Sequence, residues 1–155
     1  MELPTPFTDD RGKIINIANA PVGSAVLITS KKGTTRANHW HRIDAHLCYV
    51  VSGQIEYYER PVPEPENLPP FVILAPHESS IPTSVTSASH ITKHIFTAGE
   101  AFFTGSNVEH RMDFPMDTTF LTLGRLSRTP EEYEEDLVRI DVDLAALYRE
   151  QEKSK

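Results

Sequence analysis

Three histidines, His39, His41 and His46, fall within eight positions of the stretch RANHWHRIDAHLCYVVSG, and His110 stands far downstream at the head of EHRMDF. Histidine suits chemistry because its unperturbed pKa lies near neutrality and its two ring nitrogens are distinct donors, acceptors or metal ligands. Along a strand, side chains alternate faces, so His39 and His41 share one side with Trp40 opposite. His46 heads a second alternating run in which Cys48 and Val50 share its face, and His110 does the same with Met112 and Phe114. If the strands close on themselves, four imidazoles converge in the interior, a set suited to a borderline transition metal or to proton transfer.

The elements that must position them read as strands. KIINIA and SAVLITS are rich in β-branched residues. HLCYVVSGQIEYYER reads as two strands in a tight hairpin around Ser52-Gly53, and HITKHIF, EAFFTG, EHRMDF and TTFLTLGRL follow with turn residues between them. Such spacing predicts an antiparallel sandwich or barrel. RPVPEPENLPP carries five prolines, which exclude a central strand, so residues 61–90 read as an insertion between barrel strands. After residue 126 the period changes. Thr129 as N-cap, Pro130 at the first helical position and Glu132 at the third predict a capped helix, and DVDLAALYREQEKSK predicts a second. Both read as packing elements. The expected organisation is an N-terminal strand or arm over 1–21, an all-β barrel over 22–126 and a helical extension over 127–155.

The spacing of the histidines resembles the cupin superfamily. Its first motif runs glycine, five residues, His-x-His, three or four residues, glutamate, six residues, glycine. Here Gly33, His39, His41, His46 and Gly53 keep every interval, with His46 where the glutamate is usual. In the second motif Gly99 and His110 keep their interval, while Gly105, Asn107 and Phe114 replace the usual proline, glycine and asparagine. The resemblance implies a single jelly-roll barrel (a double-stranded β-helix), commonly dimeric. It also implies one divalent transition metal ion, iron, nickel, copper, cobalt or zinc, held by His39, His41, His46 and His110.

Three functions are open at this point. The first is a mononuclear metal enzyme, of oxygenase or Lewis-acid type, acting on a small oxygenated substrate. The second rests on FTDDRGKIINI and VLITSKKGTTRANHWHR, which look similar to cupin-type proteins of deoxysugar and polysaccharide pathways. It is a sugar-nucleotide isomerase or epimerase, with His39 and His41 as acid and base and Arg36 or Lys32 meeting the diphosphate. The third is a non-enzymatic metal or ligand sensor. Arg36 and Tyr57 are the candidate substrate-binding residues.

A net charge of -7 over 155 residues disfavours nucleic acid and acidic membranes as partners. The single cysteine, Cys48, excludes an internal disulfide framework and suits a reducing compartment. No run is apolar enough to span a bilayer and the acidic N-terminus lacks a signal peptide's apolar core. The expected setting is the cytoplasm, with a small-molecule ligand and a homodimer.

Overall fold

The computed structural model describes residues 3–62 and 90–155. The proline-rich stretch expected to form an insertion over 61–90 therefore lies almost entirely outside the described residues.

The chain opens with a short hairpin, β1 (Phe7–Asp9) and β2 (Gly12–Ile14). The Asp9 carboxylate closes its turn by accepting from the Arg11 backbone N–H at 2.9 Å and the Arg11 guanidinium at 2.6 Å. The strand expected over KIINIA is thus only three residues long. Pro4 and Pro6 offer no N–H to the ladder, so β1 starts at Phe7 and β2 has nothing further to pair with.

Two facing sheets follow. The first has four strands in the order β3 (Ser24–Ser30), β10 (Thr118–Gly124), β5 (His46–Ser52) and β8 (Ala101–Thr104). The second has five, β11 (Leu137–Arg139), β4 (Thr35–His41), β9 (Val108–Asp113), β6 (Gln54–Pro61) and β7 (Thr92–Thr97). All pairings are antiparallel. The hairpin expected at Ser52-Gly53 is instead a sheet switch, because β5 pairs with β10 and β8 while β6 pairs with β9 and β7. Gly53 makes it possible. At φ +89° its backbone lies against Asp117 and Thr118, where a Cβ would sit 2.4 Å from the Asp117 carbonyl oxygen.

Period-two alternation fills the space between the sheets. Cys48, Val50, Phe102 and Phe120 point inward from the first sheet and Ile55, Tyr57 and Met112 from the second, with Phe114 between them. Each large apolar side chain so buried contributes about 1.5–3 kcal/mol. On the outside of the second sheet, α2 (Leu144–Lys153) packs Leu144 and Ala145 against Tyr58 and Ile91. α1 (Pro130–Asp136) begins as expected, with the Thr129 hydroxyl bonded to Glu132, but it ends after two turns and gives way to β11. No helix among the described residues is long and apolar enough to cross a membrane.

Candidate active site

Strand β4 brings His39 and His41 to the interior, and a kink aims them. Ala37 and Asn38 both have positive φ, 62° and 70°, and the register with β9 shifts there. A bulge of this kind re-aims the side chains that follow it. The Asn38 amide holds the kink by donating to the carbonyls of Ile140 at 3.0 Å and Val142 at 2.9 Å. β9 pairs His110 directly beside His39, and His46 enters from the opposite sheet on β5. The four imidazoles therefore do converge. Ring centroids are 4.9 Å apart for His39–His41, 4.7 Å for His39–His110 and 5.3 Å for His41–His46. His39, His41 and His110 each place one ring nitrogen within 4.8 Å of the others.

Among the described residues, only one of the four has a charge partner. His41 Nδ1 lies 3.0 Å from Asp136 Oδ2, and both groups are buried. Asp136 also accepts from the backbone N–H groups of Ile43 at 2.7 Å and Asp44 at 3.1 Å. A carboxylate so engaged is an acceptor, so His41 carries its hydrogen on Nδ1 and keeps a lone pair on Nε2. That Nε2 is buried and bonded to nothing else among the described residues. His110 donates from Nδ1 to the Val108 carbonyl at 2.9 Å.

Burial keeps the cluster neutral. It lowers His39 to about 2, with the neighbouring His110 and His41 adding to the effect. It lowers His110 to about 4 and His46 well below its usual value. His41 is also lowered by burial, but there Asp136 pulls the other way. His41 is thus the imidazole of the four whose protonated form has a carboxylate beside it to offset part of the cost of burial.

The cavity in front of this cluster has a volume of about 150 Å³, and Arg36, His39, His46, His110, Arg128 and Tyr133 are among its lining residues. Arg36 also lines an outer polar groove of about 550 Å³ with Lys31, Thr35 and Asp117. Tyr57, expected as a substrate contact, is a core residue whose hydroxyl pairs with Thr104 at 2.9 Å. Of the remaining histidines, His94 pairs with Glu59 and His90 contacts Gln151, both away from the cavity, while His77 lies outside the described residues.

Three residues of the site come from the C-terminal segment that reads, in sequence, as packing: Arg128, Tyr133 and Asp136. Acidic and aromatic residues in the first turns of a capped helix carry no sign of where that helix docks. The signal that could reveal it is Leu137-Val138-Arg139, a strand-like run after the helix, whose pairing with His39–His41 sets Asp136 behind His41.

No protein-family model and no curated protein matches this sequence. Solved structures do. Capsular polysaccharide assembling protein CapF from Staphylococcus aureus is 20% identical with a TM-score of 0.56, over 92% of this chain. The chain spans about a third of CapF's length, 33%. The sugar 3,4-ketoisomerase QdtA from Thermoanaerobacterium thermosaccharolyticum, solved in complex with TDP, is 14% identical with a TM-score of 0.60, over 98% of this chain and 92% of its own. The dTDP-4-dehydrorhamnose 3,5-epimerase from Sulfolobus tokodaii is 16% identical with a TM-score of 0.62, over 91% and 77%.

The fold is that of the cupin barrel. Two of these neighbours are sugar-nucleotide enzymes, a sugar 3,4-ketoisomerase and a dTDP-sugar 3,5-epimerase.

The divalent metal ion expected at His39, His41, His46 and His110 is corrected accordingly, since epimerases and ketoisomerases of this type act without one. The local electrostatics agree. The usual glutamate is absent, no carboxylate among the described residues lines the cavity and the charge of Arg128 bears on all four imidazoles, which disfavours a dication there.

Proposed function

We propose that this cupin is a sugar-nucleotide isomerase that moves a ketone between adjacent carbons of the sugar by proton transfer. The observation that carries this reading is the His41–Asp136 pair, with His41 Nε2 buried without a partner among the described residues and its ring packed against the cavity-lining His39, His46 and His110. The proton α to a ketone is acidic enough for an imidazole to remove when the resulting imidazolium is stabilised, and a buried carboxylate on Nδ1 supplies that stabilisation. His41 then takes the α-proton, leaving an enediolate. Returning the proton to the neighbouring carbon, with a hydroxyl proton passed between the two oxygens, completes a keto shift. His39 suits the second task. Its ring lies beside His41 and stays neutral, so it can donate and accept at once.

The nucleotide belongs outside. The outer groove shares Arg36 with the cavity and holds Lys31, a setting for the diphosphate while the sugar reaches inward. Arg36 is held in place by its own bonds to the Ser30 hydroxyl at 2.7 Å and the Thr29 carbonyl at 2.9 Å. The QdtA complex with TDP supports a thymidine nucleotide as the carrier.

The homodimer belongs to the same reading. The four strands of the β3-β10-β5-β8 sheet contain no Asp, Glu, Lys or Arg. Their outer face leaves Leu27, Val51 and Phe103 exposed, a face suited to a second copy.

The test is product analysis. Incubation with a dTDP-linked 4-keto-6-deoxyhexose is expected to yield its 3-keto isomer by NMR. A product epimerised at carbon 5 would assign epimerase chemistry to the same site, and recovery of unchanged sugar would refute the proposal.

A further inference from the structure

Among the arginines of this barrel, Arg128 is held but uncommitted. Arg36 bonds Ser30 and Thr29 through two of its nitrogens, Arg139 forms two bonds of 2.8 Å with Glu134, and Arg60 and Arg111 pair with Glu109 and Asp113. Arg128 pairs with no carboxylate among the described residues, and its Nε is buried without a hydrogen-bond partner there. Its guanidinium nevertheless lies over the Tyr133 ring, 5.3 Å from the centroid. Arg128 and Tyr133 line the same cavity as His39, His46 and His110.

A desolvated donor on an unpaired cation is costly unless the protein uses it when a negative charge arrives. Among the described residues the cavity is lined by neutral imidazoles and no carboxylate, which points to a charge brought by what the cavity binds. Two sources are possible in principle, the diphosphate of a nucleotide or an oxyanion on the sugar itself. Placement decides between them. The outer groove is marked by Arg36 and Lys31, and Arg128 is not among its lining residues, whereas it shares the inner cavity with the histidines.

We propose that Arg128 is a catalytic residue that holds the oxyanion formed when the α-proton leaves the sugar. The inference rests on the keto-sugar reading above. In the ground state the ketone is neutral and gains little from the guanidinium. In the enediolate the oxygen is anionic, and the Arg128 guanidinium, which lines the cavity over the Tyr133 ring, meets it with charge and N–H donors. Such an interaction strengthens along the reaction path, so it lowers the barrier more than it tightens binding.

The experiment compares Arg128→Gln and Arg128→Lys with the parent protein, using a dTDP-linked 4-keto-6-deoxyhexose as substrate and TDP alone as the binding probe. Thermal melts establish that both variants fold. Arg128→Gln is expected to lower kcat by about 10²–10³-fold, the loss typical of removing one oxyanion donor. KM and the Kd for TDP should stay within about threefold. Arg128→Lys, which keeps the charge but not the planar donor, should fall between. Unchanged kcat in folded Arg128→Gln overturns the proposal, as does a loss that appears in TDP affinity, which would make Arg128 a phosphate anchor. If the parent itself does not turn over the sugar, the keto-sugar reading falls and this inference with it. Turnover by the parent with no effect of Arg128→Gln overturns the inference alone.

Discussion

Replacing Asp136 by Asn changes one atom and should disable His41 as a base. The carboxylate accepts three N–H bonds, from Ile43 at 2.7 Å on Oδ1, and from Asp44 at 3.1 Å and His41 Nδ1 at 3.0 Å on Oδ2. An amide retains one oxygen. With the NH2 toward Ile43, two donors would meet across the shortest of the three contacts. With the NH2 toward Asp44 and His41, the clash falls on the longer 3.1 Å contact, and the second amide hydrogen can bond to His41 Nδ1. The second orientation is therefore favoured. It forces His41 Nδ1 to accept, moves the imidazole hydrogen to Nε2 and removes the Nε2 lone pair. The same tautomer reversal in a catalytic His–Asp pair costs about 10⁴ in kcat. One buried backbone N–H also loses its acceptor, at about 1–3 kcal/mol. For a domain of this size, 2 kcal/mol lowers Tm by about 4–8 °C. The assays are turnover of a dTDP-linked keto sugar, a thermal melt, and ¹⁵N NMR of the His41 ring to read its tautomer. A folded Asp136→Asn protein that keeps more than about a tenth of the parent rate would refute the argument, as would a His41 ring still protonated at Nδ1.

Three further outcomes follow from the same geometry. Stability should fall in acid, because His110 is held at about 4 against an ordinary 6.5. Between those values the unfolded chain binds the proton and the folded chain does not, so the contribution is complete above pH 6.5 and about 3 kcal/mol of it is gone by pH 4. Denaturant melts from pH 7 to 4 should show the decline, and a flat profile would contradict the buried neutral cluster. Dialysis against EDTA should leave turnover unchanged, and a loss restored by one divalent ion would contradict the metal-free assignment. Leu27→Arg, on the outer face of β3 at 66% exposure, should shift the protein from dimer to monomer by light scattering with little change in Tm. A monomeric parent would remove the dimer from the account.

The parts of this molecule written locally in the chain were legible from sequence. Alternation in SAVLITS, HLCYVVS and TTFLTLG marks strands whose inward residues, such as Cys48, Val50 and Phe120, form the core. The intervals from Gly33 to Gly53 and from Gly99 to His110 anticipate four histidines facing one interior. What escaped depends on contacts distant in sequence. Ser52-Gly53 looks like a hairpin because turn chemistry is local, while the choice of sheet is made by β10 and β9. The partner of His41 is 95 residues away, on a helix whose capping box announces its start and nothing about its destination. Arg128 and Tyr133 were invisible for the same reason. The metal expectation followed from the histidine spacing and the family resemblance it carries. It was overturned by the solved neighbours, and the residues that set the local charge, His46 in place of a glutamate and Arg128 from the C-terminal segment, agree.

Solvent exchange tests the central claim most directly. The parent protein is incubated in D₂O with a dTDP-linked 4-keto-6-deoxyhexose, and the signals of the sugar protons α to the ketone are followed by NMR. A base at His41 predicts that an α-proton disappears into solvent deuterium at a rate proportional to enzyme, and that His41→Ala abolishes the loss. An α-proton that persists with the parent protein, under conditions where TDP binding is saturated, would contradict the account.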